Sequence, residues 1–162
     1  MSCKQLQLEE LRRSISSQAN IFDQVDSKIA ATLGFAFIAI FQIMAGIFRA
    51  DPKIFHRTCI LSVLQWFFFG LLIITFSAAM SFGVACRWPR VFSQHAALEE
   101  TYESEEACLD AAISEMRKVE DENYRTLETK NKWGRLTYIA VGFTVLSGLG
   151  LCTVIFISVA AF

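Results

Sequence analysis

The stretch Gln24–Gly46, QVDSKIAATLGFAFIAIFQIMAG, places an acid and a base, Asp26 and Lys28, directly before a long uncharged run. That run covers residues 29–48 and contains no charged side chain. An α-helix of about 20 apolar residues is long enough to cross the hydrocarbon core of a bilayer, which is about 30 Å thick. The stretch therefore predicts a membrane-spanning helix that begins beside two opposite charges.

Two further stretches repeat this pattern, at residues 58–86 and 136–162, and neither contains a charge. A chain of 162 residues has too little polar sequence to cover three such helices, so lipid is their expected surrounding. The sequence predicts an all-α membrane protein with three transmembrane helices at residues 29–48, 58–86 and 136–162.

Basic residues are distributed unevenly between the segments that connect these spans. Residues 1–28 and 87–135 together carry twelve Lys and Arg, whereas the short loop at 49–57 carries three. Basic loops of membrane proteins stay on the cytoplasmic side. We therefore expect a cytoplasmic N-terminus, an external loop at 49–57 and an external C-terminus.

Both segments on the predicted cytoplasmic side show the three-and-four spacing of a heptad seam. In the N-terminal segment the seam residues are Leu8, Leu11, Ile15, Gln18, Phe22, Val25 and Ile29. In the long segment they are Leu109, Ile113, Met116, Glu120, Asn123 and Leu127. The seams predict one long helix, or two nearly continuous helices, over residues 5–48. They also predict a helical hairpin within 87–135, with its turn near 88–90 or 102–104. Together these would form a cytoplasmic helical bundle.

A group of basic residues in the long segment is the candidate site for an anion. Its members are Arg117, Lys118, Arg125, Lys130, Lys132 and Arg135. Such a group can anchor the protein to lipid phosphates on the cytoplasmic side. Alternatively it binds an anionic signal, such as a nucleotide or a short oligonucleotide, by neutralising its phosphates.

Two amides interrupt the apolar spans, Gln42 in the first and Gln65 in the second. Counted from the ends of the predicted spans at 1.5 Å per residue, both lie about 10 Å from the outer boundary. They either form an interhelical hydrogen bond or belong to a polar belt that lines a pore in an oligomer.

Small residues at four-residue steps predict close contact between helices, and therefore a homo-oligomer. In the first span these residues are Ala30, Gly34 and Gly46, on the same row as Gln42. In the third span they are Ala140, Thr144, Gly148 and Cys152.

The sequence contains no Gly-rich phosphate loop, no serine-nucleophile motif and no paired-carboxylate context. Its five cysteines lack the close spacing of a zinc or redox motif. We therefore expect no enzymatic activity, no cofactor and no metal site.

Two segments resemble a known group of proteins. VDSKIAATLGFAF, residues 25–37, resembles the acid-x-Lys-Ala motif that precedes the first span in small multi-span effectors of bacterial antiphage systems. ENYRTLETKNKWGRLTYIAVGF, residues 122–143, resembles the Tyr- and Lys-bearing helix that re-enters the membrane in the same group. These are the Pycsar-effector-like and SLATT-like membrane effectors, including the membrane components of Hailong-type systems.

This resemblance implies an effector that is controlled by a nucleotide signal, made by a partner nucleotidyltransferase or cyclase. The effector would permeabilise or depolarise the inner membrane, and Asp26 and Lys28 would lie at the junction that couples the cytoplasmic bundle to the pore. Two alternatives remain open: a non-conducting scaffold or assembly subunit that recruits a soluble partner, and a holin-like lysis protein.

Overall fold

A computed structural model describes residues 3–49, 59–87 and 104–160 of the chain. It contains helices α1 (Cys3–Arg49), α2 (Cys59–Arg87) and α3 (Glu105–Ala160). Each helix is long and apolar enough to cross a membrane, which confirms the predicted all-α class with three candidate spans. The predicted loop beyond Arg49 and the first arm of the predicted hairpin, at 88–103, lie outside the described residues.

Helices α1 and α3 are much longer than the spans predicted within them. Of the two alternatives expected over residues 5–48, one long helix or two nearly continuous ones, the structure has the single helix, α1. Helix α3 passes without a break through the boundary expected at 135/136. Neither Pro52 nor Pro89, the two prolines of the chain, falls in a described helix, so no ring interrupts the backbone hydrogen bonds there.

Ser104 caps the beginning of α3. The backbone N–H of Ala107 donates to the Ser104 Oγ at 3.2 Å. The N–H of Cys108 donates to the Ser104 carbonyl at 3.1 Å, which closes the first helical turn. Glu105 and Glu106 in that turn place negative charge at the positive end of the helix dipole.

Replacing Ser104 with alanine should fray this end of α3. Loss of an N-cap costs about 1 kcal/mol, so hydrogen exchange in the first turn should accelerate about fivefold. The matched variant Ser104→Asp keeps a capping oxygen and should leave exchange unchanged. Equal exchange in the alanine and aspartate variants would contradict the assignment of the cap.

The chain divides into two compact units. The first, here the two-helix unit, is formed by α1 up to Ser27 and α3 up to Lys132. The second, here the three-helix unit, is formed by α1 from Lys28, α2 up to Cys86, and α3 from Trp133.

In the two-helix unit the two helices run parallel. Near the beginning of both, the Lys4 ammonium contacts carboxylates of Glu106 at 3.0 Å and Asp110 at 2.8 Å. Further along, the Ser14 hydroxyl donates to a carboxylate oxygen of Glu120. Hydrogen bonds with Asp110 and Glu106 raise the pKa of Lys4.

The two predicted seams of this unit are confirmed by burial. Along α1, Leu11 and Ile15 are buried, and Leu8, Gln18, Phe22 and Val25 are half-buried. Along α3, Ile113 and Asn123 are buried, and Leu109, Met116, Glu120 and Leu127 are half-buried. The polar position 120 is accounted for by its hydrogen bond with Ser14.

The three-helix unit is built in layers. A Cβ added at Gly134 would lie 3.3 Å from Ile29 and 4.0 Å from Cys86, so all three helices meet there. A Cβ added at Gly148 would lie 2.8 Å from Ile43 and 3.7 Å from Leu72, so they meet again. In every helix these two layers are fourteen residues apart, or about 21 Å.

A middle layer lies seven residues from each of the other two. Ala36, Ala79 and Val141 supply one residue from each helix, and Ala140 packs beside them. These are small side chains, so the helices approach closely and fill the centre of the unit. A buried repeat of seven residues in all three helices is typical of left-handed supercoiled packing.

Candidate functional site

A buried charge pair, Asp26–Lys130, is the most distinctive polar feature of the two-helix unit. The Lys130 Nζ lies 2.6 Å from the Asp26 Oδ1, in a charge contact whose angle falls outside hydrogen-bond geometry. The same ammonium lies 3.1 Å from the centroid of the Phe22 ring. The Lys130 side chain is only 3% exposed and that of Asp26 is 30% exposed.

Two neighbouring groups stabilise the ammonium of Lys130 in its buried position. An ammonium removed from water requires a nearby anion or other stabilising group, and here a carboxylate and an aromatic face provide both. Lys130 follows the buried Asn123 by seven residues, so it continues the buried row of α3. Lys130, one of the six candidate anion-binding residues, is thus buried against a carboxylate of the protein itself.

The other five candidates, Arg117, Lys118, Arg125, Lys132 and Arg135, are exposed. Lys118, Arg125 and Lys132 are seven residues apart and share one face of α3, about 10 Å between neighbours. Lys118 contacts Glu115 at 2.5 Å, and this hydrogen bond raises the pKa of Lys118. Among described residues, no carboxylate lies within ion-pair distance of Arg125 or Lys132.

Arg117 lies in different surroundings. It lines an open groove of the two-helix unit together with Glu10 and Glu120. The two carboxylates make this groove a poor place for an anion. Of the candidate anion-binding residues in this unit, Arg125 and Lys132 are the exposed ones that contact no described carboxylate and do not line this groove.

The two glutamines of the predicted spans lie at different levels of the three-helix unit. Gln42 is next to Ile43, which shares a layer with Leu72 and Gly148. Gln65 is seven residues beyond Leu72, or about 10 Å farther along α2. The prediction that both amides lie about 10 Å from the outer boundary is therefore wrong. Gln42 lies beside the layer of Leu72, whereas Gln65 lies one heptad past that layer on α2.

The surroundings of the two amides also differ. Gln65 is 0% exposed, and neither its Oε1 nor its Nε2 has a hydrogen-bond partner. Gln42 is exposed on the outer surface of α1. The predicted hydrogen bond between them is therefore not formed within the described chain, and the polar belt is not continuous within one protomer.

Three buried hydroxyl groups of α3 are satisfied by their own helix. The hydroxyls of Thr137, Thr144 and Ser147 donate to carbonyls one turn earlier, at 2.7–2.9 Å. The Ser158 hydroxyl, by contrast, is buried without a hydrogen-bond partner.

Sequence reasoning identified Asp26 but not its partner. Asp26 was assigned with Lys28 to a coupling junction, and the structure places Lys28 exposed and Asp26 against Lys130. The sequence places Phe22 in the seam but does not indicate that its ring contacts a charged group.

Comparison of the chain with protein-family models, curated proteins and solved structures found no match.

Proposed function

We propose that this chain is a membrane effector of a bacterial antiphage defence system. It acts as an oligomeric channel or membrane-permeabilising protein under the control of a nucleotide-type signal. Three helices able to cross a membrane support the membrane part of the proposal. The resemblance of residues 25–37 and 122–143 to antiphage effectors supports the biological role.

The packing of the three-helix unit supports a pathway between protomers. The centre of the unit is filled by layers of Ala, Val, Ile and Leu side chains. Gln42 lies on its outside, where it faces either lipid or another copy. A conducting path would therefore require several protomers, with Gln42 as its polar lining and Gln65 contributing only after a rearrangement.

The charge distribution supports the orientation within this proposal. Residues 1–28 and 87–135 carry most of the Lys and Arg, so both would be cytoplasmic, and the C-terminus would be external. A signal made by a cytoplasmic nucleotidyltransferase or cyclase would then reach Arg125 and Lys132 directly.

Reversing both of these charges tests the signal site. The variant Arg125→Glu/Lys132→Glu should weaken binding of a nucleotide by about a hundredfold or more, because each of the two cation–phosphate contacts contributes roughly 1.5–3 kcal/mol. Binding is measured on purified protein with cyclic mononucleotides, cyclic dinucleotides and 5′-phosphorylated trinucleotides. The matched control is Arg12→Glu/Arg13→Glu, which makes the same charge change at exposed positions of α1. Equal loss in both variants would contradict a specific site.

A non-conducting scaffold is the second candidate, because the filled centre of the three-helix unit suits it equally well. A potential-sensitive dye separates the candidates in cells that express the protein together with a nucleotidyltransferase or cyclase that makes a nucleotide signal. The effector collapses the potential, the scaffold leaves it unchanged, and a holin-like protein also releases a cytosolic enzyme. An unchanged potential would contradict the proposed function.

A further inference from the structure

We infer that the outward face of α1 around Gln42 is the contact surface for a second copy of this chain. The inference rests on the proposed placement of the three-helix unit in a membrane, and it identifies the surface through which the proposed oligomer forms. It does not depend on conduction, so an assembled scaffold would use the same face.

The first step is the position of Gln42 in an apolar surface. Its neighbours on the outward face are Phe35, Ile38 and Phe41, which are 66%, 58% and 68% exposed. Gln42 itself is exposed, and no described residue hydrogen-bonds to its amide. The layer of Ile43 lies about 21 Å from that of Ile29, so Gln42 is well inside the span.

The second step concerns the chemistry of an amide in lipid. Hydrocarbon offers no hydrogen-bond partner, so a primary amide that faces it carries a free-energy cost. An amide has two donors and an accepting oxygen, so it is complementary to an identical amide. A two-fold contact with Gln42 beside the symmetry axis brings this amide next to its own copy, which makes a second copy the simplest partner.

The third step is the shape of the surface. Gly34, Ile38, Gln42 and Gly46 lie on one four-residue row, and a Cβ added at either glycine would meet nothing within 4 Å. The glycines leave open space on both sides of the amide, so a neighbouring backbone can approach closely enough for hydrogen bonding.

The fourth step excludes the other row predicted for oligomer contacts. Ala140, Thr144 and Gly148 of α3 are buried within the three-helix unit, where Gly148 packs against Ile43 and Leu72. The first three residues of that row are therefore used inside the protomer, and only Cys152 at its end is exposed. Of the two rows, only the α1 row is available to a second copy.

The experiment compares the same substitution on two helices. Gly34→Leu fills the proposed contact face, whereas Gly142→Leu fills an equally open and exposed glycine of α3. Full-length protein is inserted in membranes, checked for resistance to alkaline extraction, and dissolved in mild detergent. Its association is then measured by fluorescence energy transfer between differently labelled copies. Gly34→Leu should abolish transfer, and Gly142→Leu should retain it.

Substitution of the amide provides a second variant that keeps the backbone contacts. Gln42→Leu should weaken association about threefold to twentyfold, as expected for one interhelical hydrogen bond in a membrane. Gln42→Asn, which retains an amide, should weaken it less. Equal association in wild type, Gly34→Leu and Gln42→Leu would overturn the inference.

Membrane potential is measured in parallel, so that the two ideas can fail separately. If association is unchanged by both α1 substitutions and the protein still depolarises the membrane, the inference is overturned and the proposed function is left intact. Association that depends on Gly34 and Gln42 without any depolarisation would support the inference and contradict the proposed channel.

Discussion

Replacing Asp26 with alanine is expected to destabilise the two-helix unit by about 3–5 kcal/mol, the usual cost of removing one partner from a buried ion pair. The effect should fall toward the lower end of this range, because Asp26 retains 30% exposure. The loss arises mainly at Lys130, whose side chain is only 3% exposed and whose ammonium would lose its carboxylate partner. Thermal unfolding in detergent, followed by far-ultraviolet circular dichroism, measures the change.

Two further variants make this prediction specific. Asp23→Ala removes an exposed carboxylate one turn away on α1 and should change stability by less than about 0.5 kcal/mol. Asp26→Leu/Lys130→Met replaces both charges with apolar groups and should recover most of the lost stability. If Asp26→Ala behaves like Asp23→Ala, the charge contact is not important for the fold.

The same pair decides which residues can test the proposed signal site. The Lys130 side chain is only 3% exposed and its ammonium contacts Asp26, so charge reversal at Lys130 would disturb the fold of the two-helix unit itself. Arg125 and Lys132 are exposed, which makes them the cleaner probes of a signal site.

The hydrophobic spacing of the sequence predicted the helices and seams well because each depends on local residues. The uncharged runs and the three-and-four spacing are both visible without knowing what packs against them. The burial of Lys130 could also have been predicted from the sequence. Continuing the α3 seam by three residues beyond Leu127 gives Lys130, and a lysine at such a position needs an acid, which Asp26 supplies.

The relative heights of Gln42 and Gln65 could not be predicted in the same way. They depend on the register of α2 against α1, which is set by contacts distant in sequence, such as Leu33 with Gly83 and Phe37 with Phe76. The exposed side of the Gly34–Gly46 row likewise depends on which face of α1 the other two helices cover. Spacing along one helix contains neither piece of information.

Replacing Gln65 with leucine is expected to stabilise the three-helix unit. Leaving a buried polar group without a hydrogen bond costs about 1–3 kcal/mol, and both polar atoms of Gln65 are in this state. Leucine has a similar volume and no polar atoms, so it should fit with little repacking. For a chain of this size each kcal/mol corresponds to about 2–4 °C in Tm.

The sign of this effect distinguishes the two interpretations of Gln65. If the amide is only a buried polar group of the protomer, Gln65→Leu raises Tm, and Gln65→Asn lowers it by leaving a cavity beside an unpaired amide. If the amide reaches water or a neighbouring copy in the assembled protein, as a pore lining would, Gln65→Leu removes real hydrogen bonds and lowers Tm. Both variants are measured above and below the protein concentration at which copies associate. If the hydrogen-bond partner of Gln65 belongs to a second chain, the effect of Gln65→Leu on Tm changes with concentration, and otherwise it does not.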